Sequence, residues 1–364
     1  MKPLASARAL AFDILRKVEI GGYASDLLLE RTAGMDSRDA GLATEIVFGV
    51  LRYRAQLDYL IALFSGRARK LDPEVRLALE MGIYQLRYLE RVPAHAAVGD
   101  SVELVRRARK TSAAGFVNAV LRKTHREPVE WPTREIALSC PEWLLARWER
   151  QYGGAAAEAI ARAALEEPGK YCHGERFQDI GSQSIVPLLE IEPGQRVLDL
   201  CAAPGNKTTQ AVEAGGRVVA ADLHLHRLAQ VKGITPDLVQ LDATRPLPFS
   251  ARFERVLVDA PCSGTGTLAR NPEIKWRLKP ADLADLAGRQ RAILANALAA
   301  LTPGGRLVYA TCSLEAEENR EVAEQALAGV RGWRIAATHE RLPGRDAGDG
   351  FLAAVIKSDE PANG

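Results

Sequence analysis

Paired cysteines, long apolar runs and phosphate-binding glycine motifs are what this chain of 364 residues lacks. Its five cysteines (Cys140, Cys172, Cys201, Cys262, Cys312) are odd in number and contain no C-x-x-C pair. A disulfide framework and a zinc or other metal site are therefore not expected, and a reducing cytoplasm is the expected compartment. The composition is 47% hydrophobic and 26% charged, with no stretch of ~18 consecutive apolar residues, so no membrane span is expected. The opening segment "MKPLASARALAFDILRKVEIGG" has no basic-then-apolar signal pattern, because Asp13 and Arg16 interrupt its apolar positions. It reads as the first helix of a folded domain. G-x-G-x-x-G is absent, and the "PGNKT" stretch lacks Walker spacing, so neither a dinucleotide fingerprint nor a P-loop is met.

What is present divides the chain in two. Residues 1–126 hold 21 Lys/Arg against 14 Asp/Glu, a net of +7, while the remainder holds 27 against 32, a net of −5. A basic half joined to a mildly acidic one suggests that the first half meets a polyanion, the plainer reading being a solvated helical surface. In "VRLALEMGIYQLRYL" Leu79, Ile83 and Leu86 fall at i, i+4 and i+7, one face of a helix. Similar segments separated by Gly21-Gly22 and Pro93 make residues 1–126 an expected all-α domain. The run "RRARK" (106–110) with Arg122, Lys123 and Arg126 is not needed for a core, and RNA backbone contact is its functional reading. Residues 127–176 form a transitional, mostly helical connector. Trp131, Trp143 and Trp148 are expected there as packing residues rather than base-stacking ones.

From about residue 185 short β-branched runs alternate with helices: "RVLDLCAA" (196–203), "RVVAADL" (217–223), "DLVQLDA" (237–243), "RVLVDAP" (255–261) and "GRLVYATCS" (305–313). A late antiparallel pair is expected at "WRIAAT" and "FLAAVIKS". This rhythm describes a buried, doubly wound parallel sheet, whose ligands bind beyond the carboxyl ends of the strands.

The first of these strands ends in "DLCAAPGNKTT", where Ala202, Ala203 and Gly205 allow close backbone approach to a ligand. Asp222 follows Asp199 by 23 residues, the position of a carboxylate that accepts ribose hydroxyls, and Asp242 on the next strand is placed for an adenine amino group. Carboxylates at three strand ends repel phosphate, so the pattern suits a nucleoside without one; S-adenosyl-L-methionine fits. Each aspartate alone also reads as a turn or cap residue. Cys262 and Cys312 end the fourth and fifth strands inside polar turns, which distinguishes them from the small buried hydrophobe that cysteine usually is.

"DLCAAPGNKT", "DAPCSGTG…NPEIKW" and "YATCSLEAEENREV" resemble the signature motifs of the Sun/Fmu family of RNA cytosine-C5 methyltransferases. "FQDIGSQS" (177–184) matches that family's start of the catalytic domain, and "VPAHAAVGDSVELVRRAR…GFVNAVLRK" resembles the NusB-like helical RNA-binding domain fused to its bacterial small-subunit rRNA members. The resemblance implies a NusB-like domain at 1–126, a truncated connecting subdomain at 127–176, and a class I, Rossmann-like methyltransferase domain at 177–364. It implies Cys312 as nucleophile, Cys262 as the residue aiding adduct breakdown, and Lys207 and Asp259 on the target base. The cofactor turn becomes Cys201, Ala202, Ala203, Pro204, Gly205, Asn206 and Lys207, with Asp222, Asp242 and Asp259 beside it. The implied substrate is RNA, small-subunit rRNA first, held single-stranded or locally melted so that the base can leave its stack.

Thiolate chemistry further predicts that Cys312 is partly exposed, with Lys207 as a candidate positive group near it. A swapped assignment, with Cys262 as nucleophile, is the rival within the same chemistry. Still open at this point are tRNA or another RNA as substrate, a non-catalytic NusB-like RNA-binding factor, and a small-molecule methyltransferase. Two departures from the family pattern stand out. The motif A-A-P-G-G-K carries Asn206 at its second glycine, a residue that tolerates positive φ, and only "EEPGKYCHGER" precedes "FQDIGSQS", where rRNA members have a small α/β subdomain.

Overall fold

Helical spacing of apolar residues over the first half and strand–helix alternation over the second build two different units. The structure, a computed structural model, describes residues 6–66 and 71–358; residues 1–5, which open the expected first helix, 67–70 and 359–364 lie outside that description. One compact unit comprises residues 1–167 with 269–276, the other 168–268 with 277–364.

The first unit is all-α: α1 (Ser6–Glu19), α2 (Ala24–Thr32), α3 (Ser37–Arg52), α4 (Arg54–Ser65), α5 (Pro73–Tyr88), α6 (Ala94–Arg107), α7 (Ala114–Lys123), α8 (Arg134–Ala137), α9 (Glu142–Tyr152) and α10 (Gly154–Ala163). Leu79 and Ile83 of the expected stripe are fully buried and Leu86 half-buried, facing a core that draws on α1, α3, α4 and α7. Asp36 accepts the Arg38 N–H to cap α3, and Gly66, at φ 68°, closes α4 in the left-handed conformation that glycine adopts freely. Trp148 is fully buried, and Trp131 packs edge-on against Tyr59 at 5.8 Å between ring centres.

Helices α3 and α5 approach so closely that a Cβ on Gly49 would stand 1.9 Å from Tyr84 Cζ. The Tyr84 ring stacks with Tyr53 and Tyr88, and its hydroxyl donates to Glu45. Segment 269–276 belongs to this unit and closes the end of α3. Lys275 donates to the Arg52 carbonyl at 2.9 Å and Trp276 to that of Leu51 at 2.7 Å, satisfying two carbonyls that a helix end leaves open. Burial pushes the Lys275 ammonium down to about 8.

Unit two contains β1 (Cys172–His173), β2 (Arg176–Phe177), α11 (Ile180–Gln183), β3 (Arg196–Asp199), α12 (Asn206–Glu213), β4 (Arg217–Asp222), α13 (Leu225–Leu228), β5 (Asp237–Gln240), β6 (Phe253–Asp259), α15 (Pro280–Ala299), β7 (Leu301–Thr311), α16 (Arg320–Leu327), β8 (Trp333–Arg341) and β9 (Phe351–Ser358), with α14 (Ile274–Arg277) leading back into it from 269–276. The sheet order is β5-β4-β3-β6-β7-β9-β8: β3 to β7 are parallel, and β9 and β8 add the expected antiparallel pair. Along β7, Leu307 and Tyr309 face one core with α15 and α16, while Val308 and Ala310 face the other with Ala211 of α12. Burial on both faces explains why these strands read as continuous apolar runs.

Each parallel strand stops short of its expected end. The reason is visible where side chains take over the backbone N–H groups: Asp242 accepts that of Thr244, Glu318 that of Ser263 and Thr311 that of Ser313. Between α10 and α11 the chain makes only the β1–β2 hairpin, of two residues per strand.

Gly49→Ala is expected to destabilise the helical unit by ~1–3 kcal/mol, since the added methyl must displace a hydrogen-bonded, stacked tyrosine. Denaturant unfolding measures it; an unchanged midpoint would mean that α3 and α5 are not this close.

Candidate active site at the strand ends

The sheet reverses its winding between β3 and β6, the switch point where ligands settle in folds of this kind. β6 and β7 run in parallel register with Asp259 opposite Ala310, so the chain leaves both strands nearly level. Cys262 and Cys312 follow within three residues, and their sulfurs lie 3.4 Å apart, both half-buried. The expected partial exposure of Cys312 is met.

The two turns are pinned to each other by backbone. Gly266 N–H donates to the Cys312 carbonyl at 2.8 Å, and the Gly266 carbonyl accepts the Gly350 N–H at 2.8 Å. A Cβ at Gly266 would fall 2.4 Å from the Gly350 oxygen and 2.8 Å from that of Cys312, so this motif glycine permits a backbone-to-backbone approach. The hydrogen bond to Cys312 pushes the Cys262 thiol well above its ordinary value, with burial and the charges of Cys312 and Glu318 adding to it.

Lys207, in the first turn of α12, is buried, and its ammonium donates to Asp259 Oδ2 at 2.6 Å while lying 5.2 Å from the Phe351 ring centre. The candidate cation is therefore coupled to the β6 carboxylate, whereas the polar neighbour of the Cys312 sulfur is Cys262.

The other sequence-predicted residues form the turn after β3. Cys201 is half-buried, and burial raises its thiol; Ala202 and Ala203 are buried, and the Ala203–Pro204 peptide is cis with Pro204 exposed. Asp222 Oδ2 accepts the Ala203 N–H at 3.3 Å and Oδ1 that of His224 at 3.0 Å. The carboxylate at the end of β4 is thereby tied to the turn, with lone pairs remaining on both oxygens. Gly205 takes the positive φ, 106°, while Asn206 begins α12 and donates its amide to the Phe177 carbonyl at 3.1 Å. Asn206 is thus not where the turn needs left-handed tolerance, contrary to the sequence expectation: the preceding glycine absorbs that conformation. Asp242 serves its own turn, accepting the Thr244 hydroxyl at 2.6 Å and lying 3.5 Å from Arg245; the Thr244 hydrogen bonds first, and the Arg245 charge after them, hold its carboxyl below the usual value.

Asp199, the last residue of β3, is buried. Its Oδ2 accepts the Thr208 hydroxyl at 2.7 Å, and its Oδ1 is buried with no hydrogen-bond partner among the described residues. Burial pushes its carboxyl up to about 7. A cradle of small residues ringed by carboxylates, one with an open acceptor, fits a ligand carrying hydroxyls and positive charge, as S-adenosyl-L-methionine does.

Sequence reasoning assigned no role to Gln290, Ser263, Ser313, Glu318 or Asn319, which surround the cysteines. Glu318 and Asn319 lie in the quoted "EAEENREV", but nothing in their spacing announces a function; Gln290 sits in the middle of α15 without any local signal. Of the basic residues, Arg126 donates to the carbonyls of Leu86 and Leu89 at the end of α5, Lys110 pairs with Asp72 at 2.8 Å, and Arg106 and Arg107 lie 3.7 and 3.8 Å from Glu103 while their side chains remain about half exposed, at 52% and 45%.

Residues 186–357 match the family 16S rRNA methyltransferase RsmB/F, and residues 5–126 match the NusB family. The chain is 38% identical to the ribosomal RNA small subunit methyltransferase B of Thermus thermophilus, covering 88% of this chain and 87% of that protein. It is 31% identical to the protein of the same name from Erwinia tasmaniensis, covering 98% and 99%. That alignment runs over 427 residues, more than the 364 of this chain, so the relative carries residues absent here. The crystal structure of PH0851 superimposes with a TM-score of 0.79 at 20% identity, covering 98% of this chain and all of the other, a likeness of fold.

Asp199 yields a pH signature. Its folded carboxyl is raised above the unfolded value, so the favourable contribution exists at low pH and is lost as pH rises through about 7. Relative to Asp199→Asn, the wild type should lose up to about 4 kcal/mol of stability between pH 4 and 7 and no more above that, whatever constant offset the amide introduces. Ligand-free unfolding across that range checks it; a pH-independent difference would contradict the burial of this carboxylate.

Proposed function

Because this chain belongs to the 16S rRNA methyltransferase RsmB/F family, we propose that it methylates C5 of a cytosine in small-subunit ribosomal RNA through a covalent bond between Cys312 sulfur and cytosine C6. The fold is that of a Rossmann-like methyltransferase preceded by a NusB helical domain, and the cofactor is S-adenosyl-L-methionine. When bound, the cofactor supplies an electrophilic methyl group. The observation that carries the reading is the sulfur pair: two cysteines 3.4 Å apart at the ends of neighbouring parallel strands.

Cytosine C5 alone is too weak a nucleophile to take a methyl group. Attack of the Cys312 thiolate on C6 pushes electron density to C5, which takes the methyl as the donor's S–CH3 bond breaks and S-adenosylhomocysteine leaves; loss of the C5 proton to water then breaks the S–C6 bond, expels the thiolate and restores the ring. Cys262, its sulfur 3.4 Å away, stands where its thiol can give a proton to the departing sulfur and so favour release. The Lys207–Asp259 pair borders the switch point and offers one donor and one acceptor to the pyrimidine edge, where charge builds as C6 is attacked. Around the cofactor the roles are Asp222 on the ribose, Asp242 toward the adenine, and Cys201, Ala202, Ala203, Pro204, Gly205 and Asn206 as the turn against which it lies.

The helical domain of residues 1–126 holds RNA backbone, with Arg106 and Arg107 exposed for it, and residues 127–176 connect it to the catalytic domain at 177–364. Such chemistry needs free thiols, hence the reducing cytoplasm. No helix of the described residues is long and apolar enough to cross a membrane.

The test supplies methyl-labelled donor with 16S rRNA or tRNA from a strain lacking the enzyme and maps 5-methylcytosine. Cys312→Ala is expected to lose at least ~10³-fold in kcat, whereas Cys262→Ala accumulates a covalent protein–RNA adduct. Adduct in Cys312→Ala and none in Cys262→Ala would reverse the two roles. Label on tRNA alone would move the substrate, and label on neither RNA would leave the helical domain as a binding factor.

A further inference from the structure

Glu318 is fully buried, and among the described residues no cation pairs with it. Its charge is instead met by three hydrogen-bond donors from three different segments. Oε1 accepts the Ser263 N–H at 2.8 Å and the Gln290 amide at 3.0 Å, and Oε2 accepts the Ser313 hydroxyl at 2.6 Å. Ser263 follows Cys262, and Ser313 follows Cys312. Gln290 also donates to the carbonyl of Pro261, the residue before Cys262, at 2.9 Å.

Proton positions follow from the donor inventory. Ser313 has one hydroxyl proton, given to Glu318, so its oxygen accepts both the Glu315 N–H at 3.0 Å and the Ser263 hydroxyl at 3.0 Å. On the opposite side Asn319 receives the Thr311 hydroxyl and donates to the Ser313 carbonyl at 2.8 Å, while Tyr309 donates to the Glu318 carbonyl at 2.6 Å. Every hydroxyl and amide that reaches the carboxylate therefore comes from a residue adjoining one of the two cysteines or from the helix that braces their turns.

A buried carboxylate without a counter-ion is costly to keep, and its donors hold it only while all of them are in place. We propose that Glu318 is the positioning residue that locks the Cys262 and Cys312 turns in register, so that the two sulfurs stay within hydrogen-bond reach through adduct formation and breakdown. It touches neither RNA nor donor and acts through the serines. This inference rests on the two-cysteine chemistry proposed above.

Two readouts separate positioning from mere support of the fold. The first is kinetic: Glu318→Ala is expected to lower kcat ~100-fold, the scale of a misplacement of about 1 Å, with KM for RNA and for donor changed less than about threefold. The second reports the register directly. Phenylarsine oxide, which bridges two neighbouring thiols, is expected to bind wild type at one equivalent through Cys262 and Cys312, and Glu318→Ala at least tenfold more weakly, roughly 1.4 kcal/mol. Glu318→Gln keeps the shape and two of the acceptor contacts and should restore both readouts to within about tenfold of wild type.

Unchanged kcat and arsenical affinity in Glu318→Ala would overturn the proposal, as would a rise in KM with kcat preserved. Should Glu318→Ala not fold, Glu318→Asp, shorter by one methylene, replaces it under the same criteria. If wild type methylates no RNA, the proposed function fails, yet the arsenical comparison still decides whether Glu318 sets the spacing of the sulfurs.

Discussion

Two parallel strands that end level with each other are the constraint on which the rest of this site depends. Because Asp259 of β6 stands opposite Ala310 of β7, the chain turns out of both strands at the same height, and residues 262 and 312 meet although 50 positions separate them. A register slip of one residue would turn every side chain of one strand to the opposite face. That slip is blocked on both faces: Leu307 and Tyr309 fill one core, Val308 and Ala310 the other. The apolar packing of the sheet therefore fixes the approach of the sulfurs, and the polar bonds above it refine that approach. Gly266 supplies the last step, since only a residue without Cβ lets its N–H reach the Cys312 carbonyl while its own carbonyl receives Gly350.

Most of this architecture was legible because it is written in local periodicity. Apolar spacing announced the helical half, and β-branched runs announced each parallel strand and the final antiparallel pair. The cysteines were legible because they interrupt polar turns where a small hydrophobe has no packing to do. Strand ends were read too long, since the change from ladder to turn is made by side chains such as Asp242, Thr311 and Glu318 that capture backbone N–H groups, and capture depends on tertiary placement.

The same distinction explains what was missed at the site. Gln290 looks like any polar residue of a 20-residue helix until folding brings it to the Pro261 carbonyl. Lys207 was readable as a positive group near Cys312, but its burial and its ion pair with Asp259, across 52 positions, depend on the folded sheet. At Asn206 the family glycine suggested a need for positive φ, whereas the structure assigns that conformation to Gly205; comparing motifs column by column transfers a residue type without revealing which of two neighbouring glycines carries the turn. Segment 269–276 shows a related effect. "DAPCSGTGTLARNPEIKW" reads as one motif, yet its second half caps α3 of the helical unit through Lys275 and Trp276.

The connector can be judged by the same contacts. Every hydrogen bond described around the two sulfurs comes from residues 261–266, Gln290, 309–319 and Gly350, and the Lys207–Asp259 pair and the Asp222–Ala203 bond lie outside the connector as well. None draws on residues 164–176, where the chain forms only a short hairpin. What surrounds the two sulfurs is thus assembled without that hairpin. The site's hydrogen bonds close within the sheet-bearing unit, so the spacing of Cys262 and Cys312 does not draw on the chain between α10 and α11.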